Sequence, residues 1–335
     1  MKTKKTKQDL SAHGEARRCL LRQAAMVAAG IVTAPALVRA AQAVFLGDSG
    51  RALIDRLGST SNAVILGESG DDFYHIHGDG LPSHATGVFP NANCPSPILA
   101  QTDNFRITKS PKIANKITPI NGWLFGVAVN GVVFDPTGPF YQGLQSTGYQ
   151  FEVLTRTASP YLGIDMNLAH TQPSGEYHYH GLPTLLYQKL AQLQTARKDS
   201  PTMTLVGWAA DGFPIYGPLA PSRATDPSSP LIVVRSSYVL KSGPRGSGSP
   251  GGNFHDAGGI FVQDFEYRAG LGDLDECNGR YGVTPEFPNG IYHYFVTSDY
   301  PFIPRFWKGT PDPSFYHPNP GIDAVPAALM KLTFG

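Results

Sequence analysis

Short apolar runs punctuated by Gly, Pro, Asn and Asp dominate this chain, and they predict strands and tight turns rather than long helices. The two clearest runs are GVAVNGVVF at Gly126–Phe134 and GWAADGFPI at Gly207–Ile215. Each is an apolar strand, an Asn-Gly or Asp-Gly pair, and a second apolar strand. That pattern predicts a hairpin closed by a type I′ turn, which needs φ > 0 at both central residues. One helix is expected. Thr184 can cap a segment from Leu185 to about Arg197 that carries Leu186, Leu190 and Leu193 at helical spacing.

The hairpins belong to a longer repeat. Each is followed by a carboxylate–amide pair, Asp165 with Asn167 and then Asp275 with Asn278. Each then reaches a Gly-x-Tyr-His-Tyr strand, at Gly175–Tyr179 and Gly290–Tyr294. Three features recurring in one order imply duplication. The expected fold is mainly β: a pseudo-symmetric β-sandwich or barrel-like domain over 71–309, built from related halves at 71–198 and 199–307, with few helices, one near 184–197. Residues 44–70 read as an extension and 310–335 as a C-terminal tail.

The N-terminus changes the picture of where the domain works. Ala16-Arg17-Arg18-Cys19-Leu20-Leu21-Arg22 precedes an Ala-rich apolar run from Ala24 to Val38, and Ala41-Gln42-Ala43 supplies small residues for cleavage. This order resembles a twin-arginine export signal over residues 1–43, with Ala16, Leu20 and Arg22 as departures from its usual motif. The expectation is therefore a protein of the periplasm or the exterior, with the twin-arginine translocase as its partner during export. The segment holds eight of the 27 basic and two of the 26 acidic residues. Removing it leaves 19 basic against 24 acidic residues, a charge near −5 that argues against nucleic acid. No later apolar run reaches the ~18 residues of a membrane span, so no stable span is expected after cleavage. Cys94 and Cys277 remain, and the sequence leaves open whether they pair or stay as buried thiols.

Candidate chemistry concentrates in Asp165–His170 and in Gly175–Gly181, which reads GEYHYHG. Residues two apart on a strand share a face and lie roughly 6–7 Å apart. His178 and His180 can therefore converge on one ion, while Tyr177 and Tyr179 face the other way. Pro173-Ser174-Gly175 can turn the chain so that His170 returns beside them as a third ligand. Such a site suits one transition-metal ion, with copper, zinc, iron and manganese not distinguished. Binding of that ion should weaken as pH falls through the ordinary imidazole pKa of about 6.5. Asp165, Asp275 and His293 are reserve ligands, although Phe295 stands where a second histidine would complete the later copy. Asp273, Asp275 and Asn278 form a loop loosely like a calcium site.

Other features read as structural. They are His84, Asp211 in its Asp-Gly turn, and a formal dinucleotide-type match, GSGSPG at 246–251, that lacks any strand–turn–helix context. Tyr74-His75-Ile76-His77 looks like a further copy of the tyrosine–histidine motif. There is no Gly-x-Ser-x-Gly elbow, phosphate-binding loop or His-Glu-x-x-His helix.

Five segments together resemble the YHYH-domain family: LPSHATGVFP at 81–90, GEYHYHGLP at 175–183, GWAADGFPIYGP at 207–218, GDLDECNGRYGVTPEFPNG at 272–290 and YPFIPRFWKG at 300–309. The resemblance spans roughly Phe73 to Gly309. It implies one exported domain named for the tyrosine–histidine strand, it brings no activity with it, and it does not require histidine at His293. The leading expectation is an exported metal-binding protein, with a metalloenzyme of unknown substrate as one form of it. The alternative is a non-enzymatic periplasmic β module that binds a glycan or protein partner, its histidines serving the fold.

Overall fold

The computed structural model describes residues 64–66, 71–120, 122–155, 158–198, 201–247, 249–250 and 258–317. Residues 1–43, where the export signal is expected, the 44–70 stretch apart from Val64–Leu66, and the tail from 318 lie outside the described residues.

The chain is mainly β and is organised on one curled eight-stranded sheet. Its strands are β1 (Gly126–Ala128), β2 (Val133–Phe134), β3 (Ala169–Thr171), β4 (Tyr177–Tyr179), β5 (Leu205–Ala209), β6 (Pro214–Tyr216), β7 (Gly279–Gly282) and β8 (Ile291–Phe295). The spatial order is β7-β8-β6-β5-β1-β2-β4-β3. Outward from the central β5–β1 pair, both directions give the same sequence of steps: an antiparallel hairpin partner, a parallel strand, then an antiparallel edge strand.

The registers repeat as well as the order. Gly126↔Phe134 corresponds to Gly207↔Ile215, and Phe134↔Tyr179 corresponds to Ile215↔Tyr294. The two edge pairings match through Ala169↔Tyr179 and Gly279↔Tyr294. At the centre, Val127 pairs with Trp208, flanked by Gly126↔Ala209 and Ala128↔Gly207. This is the register of two copies related by a two-fold axis. Both central glycines are forced by close approach. A Cβ on Gly126 would meet the Trp208 carbonyl oxygen at 2.3 Å, and one on Gly207 would meet that of Val127 at 2.3 Å.

The hairpins form where expected, by a different turn. Only the glycine has positive φ in each case, +86° at Gly131 and +90° at Gly212. The bonds Gly131 N–H to Ala128 C=O (2.9 Å) and Ala128 N–H to Val132 C=O (2.8 Å) define a three-residue loop rather than a two-residue type I′ turn. A type I turn followed by a left-handed glycine lets Asn130 and Asp211 keep ordinary φ and turn their side chains inward.

The sheet is covered on both faces, so its central strands are apolar throughout and do not alternate. Phe125, Phe134, Tyr179, Tyr216, Tyr294, Phe295 and Trp307 are fully buried around it, and the indole N–H of Trp307 donates to the Phe125 carbonyl at 3.0 Å. A short helix α1 (Ser159–Leu162) belongs to a second cluster with Phe151, Val153 and Phe261. The long helix α2 (Thr184–Lys198) matches the expected span and buries Leu186 fully, with Leu190 and Leu193 against the same core. Tyr74–His77 lies apart, in a three-stranded sheet of 64–66, 73–78 and 103–108. There His75 bonds Asp71 at 2.6 Å and His77 bonds Asn104, so this segment is not another copy of the motif.

Candidate metal centre

Strands β3 and β4 are joined by the turn that the sequence suggested. Gln172 N–H donates to Glu176 C=O at 2.9 Å, and Gly175 N–H to Gln172 C=O at 2.8 Å, closing a three-residue loop over Pro173–Gly175. The return sets His170 directly opposite His178, while the two-residue step along the chain puts His180 on the same face. The three rings meet. Nε2 of His178 lies 2.9 Å from Nε2 of His180, which lies 3.0 Å from Nε2 of His170. Ring centroids are 4.6, 4.7 and 4.9 Å apart, and the residues are only 1–2% exposed.

The backbone fixes how two of these rings are protonated. Nδ1 of His170 faces the Leu162 carbonyl at the end of α1 at 2.6 Å, and Nδ1 of His178 faces the Glu176 carbonyl at 3.2 Å. A carbonyl only accepts, so each Nδ1 must carry the proton, and each Nε2 then turns a lone pair toward the cluster. Such carbonyl partners are the usual orienting shell of a ligating imidazole. His180 stays neutral well below its ordinary 6.5, first because it is buried and then because positive charge on His178, His170 or Arg305 would oppose its own. In their neutral forms the three rings present nitrogen donors to one point. Bonds of about 2.0–2.1 Å in tetrahedral geometry hold neighbouring nitrogens roughly 3.3 Å apart, so the two contacts at His180 need to lengthen by only a few tenths of an ångström to admit an ion.

The reserve ligands lie elsewhere. Among the described residues, His170, His178 and His180 are the one group of three or more His, Cys, Asp or Glu side chains placed to share a metal ion. Asp165 serves the tyrosine face of β4: its carboxylate accepts from Tyr177 OH at 2.7 Å, Gly87 N–H at 2.9 Å and Asn167 N–H at 2.7 Å. Asp275 does the same in the other half, accepting from Tyr292 OH at 2.9 Å, with the Lys308 ammonium 3.0 Å from its second oxygen. His293 sits on β8, fully buried against Tyr216 and Phe295. These three do not join the histidine cluster, because strand alternation and register send them to other faces or to the other half.

The calcium expectation fails on the same ground. Lys308 already supplies the cation at Asp275, Asp273 accepts from Arg235 N–H at 2.8 Å, and the Asn278 amide donates to Phe295 C=O and Thr297 Oγ1, each at 3.0 Å. The register also pairs Asn278 with Leu168 rather than with Asn167: both follow the repeated aspartate by three and both hold positive φ, +53° and +56°.

Three features near the cluster were missed in the sequence. Glu176 precedes His178 by the same two-residue step, so alternation alone assigns it to the histidine face. It is 4% exposed, and burial, aided by Asp103 and Asp135, pushes its carboxyl up to about 8. Cys94 is a buried free thiol whose Sγ lies 3.0 Å from Thr171 Oγ1. Burial raises its pKa, but hydrogen bonding to His170 and Thr171 outweighs that and leaves it below the ordinary value. Arg305 reaches the region through an ion pair with the buried Glu152. No local pattern could have linked Cys94 or Arg305 to the histidines. Cys277 is also free, so the two thiols do not pair.

The residues assigned to structure hold the other face. His84 Nε2 lies 2.6 Å from Tyr179 OH, which also accepts from the Asn130 amide at 3.0 Å. Asp211 takes the equivalent position to Asn130: it accepts from Tyr294 OH at 2.5 Å and Gly309 N–H at 2.8 Å, so it serves long-range contacts more than its own turn.

The family model described as YHYH protein matches residues 104–309, more than half of the chain. No curated protein and no solved structure matches it.

Proposed function

Because the chain belongs to the YHYH protein family and carries this triad, we propose that it is a metal-binding protein whose His170, His178 and His180 hold one transition-metal ion. The observation that carries the proposal is the convergence of three imidazoles: one ring nitrogen from each lies within 4.8 Å of the others, in a site with 1–2% exposure. Nδ1 of His170 and of His178 each face a backbone carbonyl, which orients the Nε2 atoms toward one point. An ion placed there accepts a lone pair from each ring.

The depth of the site bears on its use. A zinc ion that activates water needs an open position for water and substrate. Three rings closed off from solvent favour a structural ion, or one that exchanges electrons without touching a bulky substrate. The segment 1–43 adds the second part of the reading: export as a folded domain through the twin-arginine route.

Elemental analysis of the mature protein tests the centre. We expect about one transition-metal ion per chain in the wild type and none in His178→Ala or His180→Ala. Folded protein without metal, with a Tm indifferent to chelator and to added zinc, would make the triad a packing motif and give the lead to a β module that binds a glycan or protein.

A further inference from the structure

The second half reproduces the metal centre position by position. Strand β8 takes the place of β4 and β7 that of β3, which superimposes Tyr292, His293 and Tyr294 on Tyr177, His178 and Tyr179. The supporting bonds recur. Asp275 N–H donates to Gly279 C=O as Asp165 N–H does to Ala169 C=O, at 2.9 and 2.8 Å. Tyr292 OH reaches Asp275 as Tyr177 OH reaches Asp165. Phe295 N–H donates to Asn278 C=O as His180 N–H does to Leu168 C=O. The tautomer is preserved too: Nδ1 of His293 faces the Ile291 carbonyl at 3.0 Å, so its Nε2 carries the inward lone pair.

Two ligand positions differ. Phe295 replaces His180, and Arg280, directly opposite His293, replaces His170. The Arg280 guanidinium carbon lies 5.4 Å from the centroid of the Phe295 ring, whose centroid is 5.0 Å from that of His293. A fixed positive charge thus lies beside the His293 and Phe295 rings, the counterparts of His178 and His180. One guanidinium nitrogen is tied to the Pro221 carbonyl at 2.7 Å. Among the described residues, Nε2 of His293, in a residue with no exposure, finds no hydrogen-bond partner, and neither does Nε of Arg280.

We propose that the second half holds a copy of the metal cradle in which the Arg280 side chain stands in for the ion, so that the chain is built to take one ion rather than two. The unmatched Nε2 of His293 is the ligand atom left from that cradle. The cation that once answered it is now covalent, held over the aromatic ring that replaced the third ligand. Arg280 and Phe295 are then the residues that set the stoichiometry.

The inference rests on the metal reading of the first half, and the test separates the two. Wild type and Arg280→His/Phe295→His are each loaded with cobalt(II), cleared of loose ion, and counted by elemental analysis together with the visible spectrum. One ion in the wild type and two in the double variant is the expected result. None in the wild type but one in the double variant would overturn the first-half reading and leave this one standing. A folded double variant with no more cobalt than wild type overturns the inference. If the double variant does not fold, Arg280→His alone decides: it leaves two opposed imidazoles and should gain a cobalt-dependent rise in Tm beyond that of wild type, and absence of that rise overturns the inference.

Discussion

His293 offers a prediction whose size follows from its surroundings. The ring is wholly buried, so burial first, with the positive Arg280 adding to it against the pull of the Ile291 carbonyl, lowers its pKa from 6.5 to about 4. In the unfolded chain the same ring titrates near its ordinary 6.5. Between those two values the unfolded state binds a proton that the folded state refuses, so stability rises with pH across this window and falls on acidification. The interval of about 2.5, at 1.36 kcal/mol for each, amounts to roughly 3 kcal/mol lost between pH 6.5 and pH 4. His293→Phe keeps an aromatic ring among Tyr216 and Phe295 and removes the titration. Urea unfolding at a series of pH values should show the wild-type ΔG falling relative to that of the variant by about that amount between pH 7.5 and pH 4. Parallel curves for the two proteins over this range would refute the argument, since His293 would then titrate alike in both states.

Three further outcomes follow from the sites described. Because burial and its neighbours hold His180 neutral well below 6.5, protons should begin to compete for the ion only at lower pH than the ordinary imidazole value suggests; dialysis at pH 7.5 and pH 6 should leave equal metal contents, and a loss centred at 6.5 would contradict this. Gly207→Ala sets a Cβ 2.3 Å from a backbone oxygen that cannot step aside, and should cost at least ~1–3 kcal/mol by thermal or urea unfolding, whereas an unchanged Tm would mean that the central strand pair is looser than it looks. Arg17→Lys with Arg18→Lys should leave the protein uncleaved in the cytoplasm by fractionation, and normal periplasmic recovery would exclude the twin-arginine route.

The parts legible in the sequence are those that depend on neighbours along the chain. Alternation on a strand places His178 and His180 on one face and Tyr177 and Tyr179 on the other, and the same step assigns Glu176 to the histidine face. The Pro-Ser-Gly turn brings His170 back over ten residues, a loop short enough for sequence to constrain. The Asn-Gly and Asp-Gly pairs mark their hairpins, and the apolar spacing after Thr184 marks the helix. What only the tertiary structure decided is every relation across long separations. Asp165 and Asp275 are acidic and near the motif in sequence, yet pairing register commits them to tyrosine hydroxyls on the far face. Cys94 reaches His170 and Thr171 across more than seventy residues, and Arg280 proves to be the counterpart of His170 only once β7 is paired with β8 and β6 with β8. Local pattern fixes which way a side chain points from its own strand. Which strand lies beside it, and in what register, is set by how a whole core packs, and a shift of one residue would send each of these groups to the opposite face.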